Sequence, residues 1–149
     1  MKPIITWILI TNGYRSRIIE HSAIGSGLKE VRGMELSDEV LSMSEIMTDK
    51  PGRSFSTAGT SRSAMQQRTN PVDKREADFI RLVAENLNKK FSNKGFDRLI
   101  IFASPSSMGD LRKVLSEDLQ NTIYAEIDKD LTKVPNDQIA KHLKDVMVV

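Results

Sequence analysis

The stretch "IITWILITNGYRSRIIEH" (Ile4–His21) decides how the chain folds. From Ile4 to Ile10 it is almost continuously apolar and β-branched, the pattern of a central strand covered on both faces. The run is too short to cross a bilayer. Thr6 and Thr11 interrupt it and no small-residue cleavage site follows, so a secretion signal is a poor description. Asn12-Gly13 then reads as a turn, and Arg15 to His21 as an antiparallel return strand. The first element is therefore a buried strand with its partner folded back on it.

Gly25-Ser26-Gly27 marks a second turn, and Leu28 to Arg32 predicts a third strand. Gly33 to Met47 carries Glu35, Asp38, Glu39 and Glu45 with no base, and reads as a short surface helix or loop. Asn70-Pro71 starts the clearest helix: asparagine caps, proline suits the first helical position, and Asp73 complements the dipole. Ala77, Ile80, Ala84, Leu87 and Phe91 then form one apolar stripe. Lys89, Lys90 and Lys94 suit the far end, where Gly95 is expected to close the helix in a left-handed conformation. "RLIIFA" (Arg98–Ala103) is a second buried strand, and Ser104-Pro105 begins a helix with Met108, Leu111 and Leu115 inward. Ile123, Ala125 and Ile127 alternate with polar neighbours, predicting a strand with one covered face. A last helix uses Ile139, Leu143 and Val146.

Three strands in a meander, then helix, strand, helix, strand, helix, imply a mixed α/β fold. Right-handed crossovers would set the later strands parallel to the first. The expectation is a ribonuclease H-like three-layer arrangement: a five-stranded mixed sheet in the order 3-2-1-4-5, with helices on both faces. At 149 residues the chain is most simply one domain, 1–149.

Composition removes several chemistries. There is no cysteine, hence no disulfide, thiol nucleophile or thiolate metal site. His21 and His142 lie far apart in sequence, so neither a metal pair nor a catalytic histidine is indicated, and both are expected at the surface or half-buried. "GTSRSA" (Gly59–Ala64) lacks the lysine of a phosphate-binding P-loop, and no serine sits in a nucleophile elbow. No cofactor is implied. Net charge is only +2, so any preference for anions must arise from local clustering.

Two clusters stand out. In such a sheet, ligands gather beyond the carboxyl ends of the parallel strands. Those ends carry Asn12, Ser104, Asp128, Lys129 and Asp130, a candidate pocket. A two-metal nuclease needs several carboxylates there, but the first strand ends in a neutral amide. Asp128 and Asp130 serve equally well as turn residues. The second cluster is the segment Asp49–Pro71, "DKPGRSFSTAGTSRSAMQQRTNP", with Lys50, Arg53, Arg62 and Arg68 and no acid after Asp49. The arginines suit phosphate, Gly52 and Gly59 permit close backbone approach, and Phe55 offers a stacking face. A solvated linker or a partner-docking segment explains the same composition.

The pieces "TWILITNGYRSRI" (Thr6–Ile18), "KPGRSFSTAG" (Lys50–Gly59), "FDRLIIFASP" (Phe96–Pro105), "MGDLRKVLS" (Met108–Ser116) and "AEIDKDLTKVP" (Ala125–Pro135) together resemble the bacterial host attachment proteins. Members of that family commonly have an aspartate after the first strand, where this chain has Asn12. The family is similar to the middle domain of archaeo-eukaryotic peptide-chain release factors. In those factors the loop between the strand meander and the long helix enters the peptidyl-transferase centre with a Gly-Gly-Gln triplet. Asp49–Pro71 occupies that place in the order of elements, yet Ala64-Met65 precedes Gln66-Gln67, so peptide release is not implied.

The resemblance implies a non-catalytic cytoplasmic module that contacts RNA or the ribosome through Lys50, Gly52, Arg53, Phe55, Arg62 and Arg68. Two alternatives stay open. One is a metal-dependent nuclease or phosphoester hydrolase using Asp128 and Asp130. The other is a protein-interaction domain whose acidic and basic segments pair with a partner.

Overall fold

The computed structural model describes residues 4–38 and 71–149. Strand β1 (Thr6–Thr11) is buried at every position. It lies between β2 (Arg15–His21), antiparallel to it, and β5 (Arg98–Ala103), parallel to it. β6 (Ile123–Ile127) extends the sheet in parallel beyond β5. On the far side β2 pairs with β3 (Lys29–Glu30) and with β4 (Leu36–Ser37). The path is β3-β2-β1-β5-β6, with β4 attached to β2 off that path.

Alternation along β1 and β5 builds two cores. Trp7, Leu9, Leu99 and Ile101 face the helix α1 (Pro71–Ser92), which contributes Phe79, Ile80, Val83, Ala84 and Leu87. Met108 and Leu111 of α2 (Pro105–Val114) join them, with Leu119 of the short α3 (Glu117–Gln120). Ile8, Ile10, Ile100 and Phe102 face the other way, onto Leu131, Ile139 and Leu143. Each such side chain, fully buried, contributes about 1.5–3 kcal/mol of transfer free energy. That two-sided burial makes β1 and β5 the rigid base of the molecule. Trp7 also stacks on Phe96 at 4.5 Å and donates its indole N–H to Glu20 Oε1 at 2.9 Å.

Several expectations are corrected. The third strand is two residues long rather than Leu28–Arg32. Within Gly33–Met47, Leu36 and Ser37 form a sixth strand on β2, drawn in as Met34 sinks into the core; residues 39–47 lie outside the described residues. Helix α1 ends with Lys94, not Gly95, in the left-handed region (φ 59). Lys94 N–H reaches Phe91 O at 2.9 Å and Gly95 N–H reaches Lys90 O at 2.9 Å, the Schellman pattern. Gly95 is needed for proximity instead: a Cβ there would lie 3.0 Å from Lys90 O.

β6 departs furthest from its sequence pattern. Leu99 pairs with Ile123, but Ile100 pairs with Ala125, so Tyr124 is an extra residue in the ladder. The bulge puts Ile123 on the α1 side and Ala125 with Ile127 on the opposite side. Those three residues therefore do not share a face. The C-terminal layer is likewise less regular than one long helix: a 3-10 turn (Asn136–Gln138) leads into α4 (Ile139–His142), which stops before Leu143. Among the described residues no helix is long and apolar enough to cross a membrane.

Candidate functional site

The carboxyl edge of the parallel strands is organised around Asn12. Its side-chain oxygen accepts the backbone N–H groups of Tyr14 and Arg15, both at 2.8 Å, closing the turn between β1 and β2. Its side-chain nitrogen donates to Asp130 Oδ2 at 3.0 Å and to Thr132 Oγ1 at 3.1 Å. The other oxygen of Asp130 accepts from Thr132 N–H at 2.9 Å and Thr132 Oγ1 at 2.6 Å. Partial burial pushes the Asp130 carboxyl up. Hydrogen bonds from Thr132 and Asn12, with the nearby Lys133 charge, outweigh that and hold it below the ordinary aspartate value.

Arg17 ties the same C-terminal segment to β2. Its Nε donates to Asn136 Oδ1 at 2.8 Å, and its terminal nitrogens donate to the carbonyls of Thr132 and Val134. Burial draws the guanidinium below its usual pKa, and Glu30 partly offsets this. Asn12, Arg17, Asp130 and Thr132 thus clamp the second core layer onto the strand ends. A neutral amide at position 12 suits that task, because an aspartate has no N–H to give Asp130.

The other sequence candidates do not join this network. Ser104 caps α2 and donates to Ser107 Oγ at 2.9 Å. Asp128 and Lys129 are exposed beyond β6, and no hydrogen bond links either side chain to Asn12. Among the described residues no three His, Asp or Glu side chains group as metal ligands would. Asp130, whose two oxygens already accept bonds, is not presented as an open ligand. Lys50, Gly52, Arg53, Phe55, Arg62 and Arg68 lie outside the described residues.

Sequence reading missed Thr132, Arg17 and Glu76, and took Gly13 as a turn residue without its close approach to α1. An Asp-x-Thr spacing, which favours side-chain to backbone bonding, was the available signal for Thr132. Gly13 sits so close to α1 that a Cβ would meet Glu76 Cγ and Oε1 at 2.5 Å. The Glu76 carboxyl is pushed up, first by burial and then by the charges of Asp73 and Asp110. These acids line a groove of about 720 Å³ between α1 and α2, shared with Arg81 and Lys113. Asp38 N–H donates to Tyr14 O at 2.7 Å, and the Asp38 carboxylate pairs with Arg75 at 3.0 Å. Residues on both sides of 39–70 therefore meet at the Asn12–Tyr14 turn.

The family described as "Protein required for attachment to host cells" matches residues 7–143. The chain belongs to this family. The match runs from Trp7 in β1 to Leu143 just past α4, and the residues of the Asn12 network fall within it. No curated protein matches the chain.

Proposed function

We propose that this host-attachment protein is a non-catalytic, cytoplasmic module that binds RNA or the ribosome. The contact surface in this reading is Lys50, Gly52, Arg53, Phe55, Arg62 and Arg68. The fold is read as ribonuclease H-like and related to the middle domain of release factors, with the basic segment in the place of their catalytic-centre loop. The family's link to attachment then reflects altered translation that changes surface behaviour indirectly.

The observation that carries the proposal is the concentration of positive charge between Asp49 and Pro71, in a chain with a net charge of only +2. The groove between α1 and α2 at the described carboxyl edge mixes four acids, Asp73, Glu76, Asp78 and Asp110, with three bases, Lys74, Arg81 and Lys113, so it offers phosphate no net positive charge. Contact with a polyanion therefore falls to the arginines of the segment.

Replacing Arg53, Arg62 and Arg68 together by alanine tests this. Ribosome co-sedimentation should weaken, with the salt slope falling by about one per arginine removed. An unchanged profile, or a particle-associated fraction that survives ribonuclease, would remove RNA from the mechanism. Recovery of the native protein from the cell surface would contradict the cytoplasmic part.

A further inference from the structure

The opposite, amino edge of the sheet holds a cleft of about 700 Å³ that no part of the reading above uses. His21 pairs with Thr6 at the start of β1, Arg98 opens β5, and Tyr124 is the bulged residue of β6. Residues 144–148 form the facing wall. Ile4, Ile24, Tyr124 and Val148 all line the cleft. They are four of the seven large hydrophobic side chains exposed among the described residues. Scattered apolar exposure needs no explanation, but this concentration in one concavity marks a binding surface.

Its polar groups are cationic and underused. Arg98 spends Nε on Thr6 Oγ1 at 2.7 Å and lies 4.3 Å over the Tyr124 ring, while no hydrogen bond to a described residue engages its terminal nitrogens. Such a guanidinium, fixed by one bond and one ring, presents a pre-set fork for a carboxylate or phosphate. Lys144 adds a second positive charge, and Asp145 is the lone acid of the lining. His21 is 4% exposed, and its Nε2 is buried without a hydrogen-bond partner among the described residues. Burial first, and then the Arg98 charge, lower its pKa, so the imidazole is neutral near pH 7.

We propose that this cleft binds a small amphipathic anion, with its acidic head on Arg98 and Lys144 and its apolar body against Ile4, Ile24 and Val148. The bulge at Tyr124 is part of the site, because it turns that ring beneath the guanidinium. The head group is a carboxylate or a phosphate monoester, both of which fit the fork.

Titrations of the full chain with octanoate, octyl phosphate, octanol and inorganic phosphate, followed by NMR, test the proposal. One of the two amphipathic anions, or both, should bind, shifting His21 and the amides of Ser22–Ile24 and Val146–Val148. Their ranking identifies the head group. Octanol and inorganic phosphate should each bind at least tenfold more weakly. Arg98→Gln should weaken anion binding tenfold or more, and the exposed Lys144→Gln, which leaves the sheet untouched, severalfold. Equal binding of octanol and octanoate, or affinity unchanged in Lys144→Gln and Arg98→Gln, would overturn it. So would a concentration-dependent dimer abolished by Ile24→Glu, because a second copy would then occupy the cleft.

Discussion

The two ends of the parallel strands are made of opposite materials. At the carboxyl edge every polar valence of the Asn12 side chain is used within the protein, and Asp130 and Thr132 close the circuit. At the amino edge, among the described residues, a buried imidazole nitrogen lacks a partner, a guanidinium is half-used, and apolar side chains stand in water. Ligands of open α/β sheets usually favour the first place. Here that place is occupied by the protein's own C-terminal segment. A polar group satisfied from within is scaffolding; one left unsatisfied in an apolar cleft is what a ligand completes.

The sharpest way to break the carboxyl edge is to force its turn away from α1. Gly13→Val places a branched side chain where Glu76 Cγ and Cβ stand at 2.5 and 2.7 Å. Overpacking of this kind costs about 1–3 kcal/mol, and the crowding of two rigid Cβ groups sets this case near the upper end. Urea unfolding should show the loss, and Glu76→Ala in the same chain should restore part of it. Equal midpoints for Gly13→Val and the parent would mean that α1 does not bear on the turn.

A smaller effect follows from changing one atom of the clamp. Asn12→Asp keeps the acceptor for Tyr14 and Arg15 but loses the donor to Asp130 and adds a like charge beside it. A loss of about 1–2 kcal/mol at pH 7 is expected, given the exposure of the pair. The parent Asp130 has a depressed pKa, so its contribution is present above the ordinary aspartate value and fades as pH falls through the folded one. The variant should behave oppositely between pH 7 and about 4.5, gaining on the parent as one carboxyl of the pair takes up a proton. Parallel pH profiles for the two proteins would show that the Asn12–Asp130 bond carries no weight.

What could be read from the sequence tracks how local the physics is. β1 and β5 announce themselves because strands buried on both faces leave unbroken runs of Ile and Leu. Helix α1 is marked by Pro71 at one end and lysines at the other. β4 leaves no such trace, since Leu36 and Ser37 are strand only through backbone pairing with Arg15 and Ser16. The bulge at Tyr124 is invisible because Ile-Tyr-Ala-Glu-Ile alternates perfectly, and only the register with β5 shows the extra residue. Asn12 and Asp130 were both candidates as site residues. Their role as mutual hydrogen-bond partners spans a sequence separation of 118, which no spacing rule reports. The amino-edge cleft draws on positions from Ile4 to Val148 and has no motif at all.

The smallest effect, and the one that most sharpens the contrast, comes from His21. If its Nε2 is a cost to the fold, His21→Leu should leave stability at pH 7.5 unchanged or slightly raised, by less than about 1 kcal/mol. The comparable loss of an Asn12 side-chain bond should destabilise. Acid then separates the parent from the variant. A histidine whose folded pKa is lowered favours the fold above its ordinary pKa and opposes it as pH drops below, because the unfolded chain takes the proton more readily. The Arg98 charge from β5 adds to that penalty; Lys144 and Asp145 line the same cleft with opposite charges, and Glu20 is engaged with Trp7. Between pH 7.5 and 5.5 the parent should lose stability that His21→Leu keeps, measured by urea midpoints at each pH. A histidine that stabilises the fold at both values would have a partner after all, and the amino edge would then be as complete as the other.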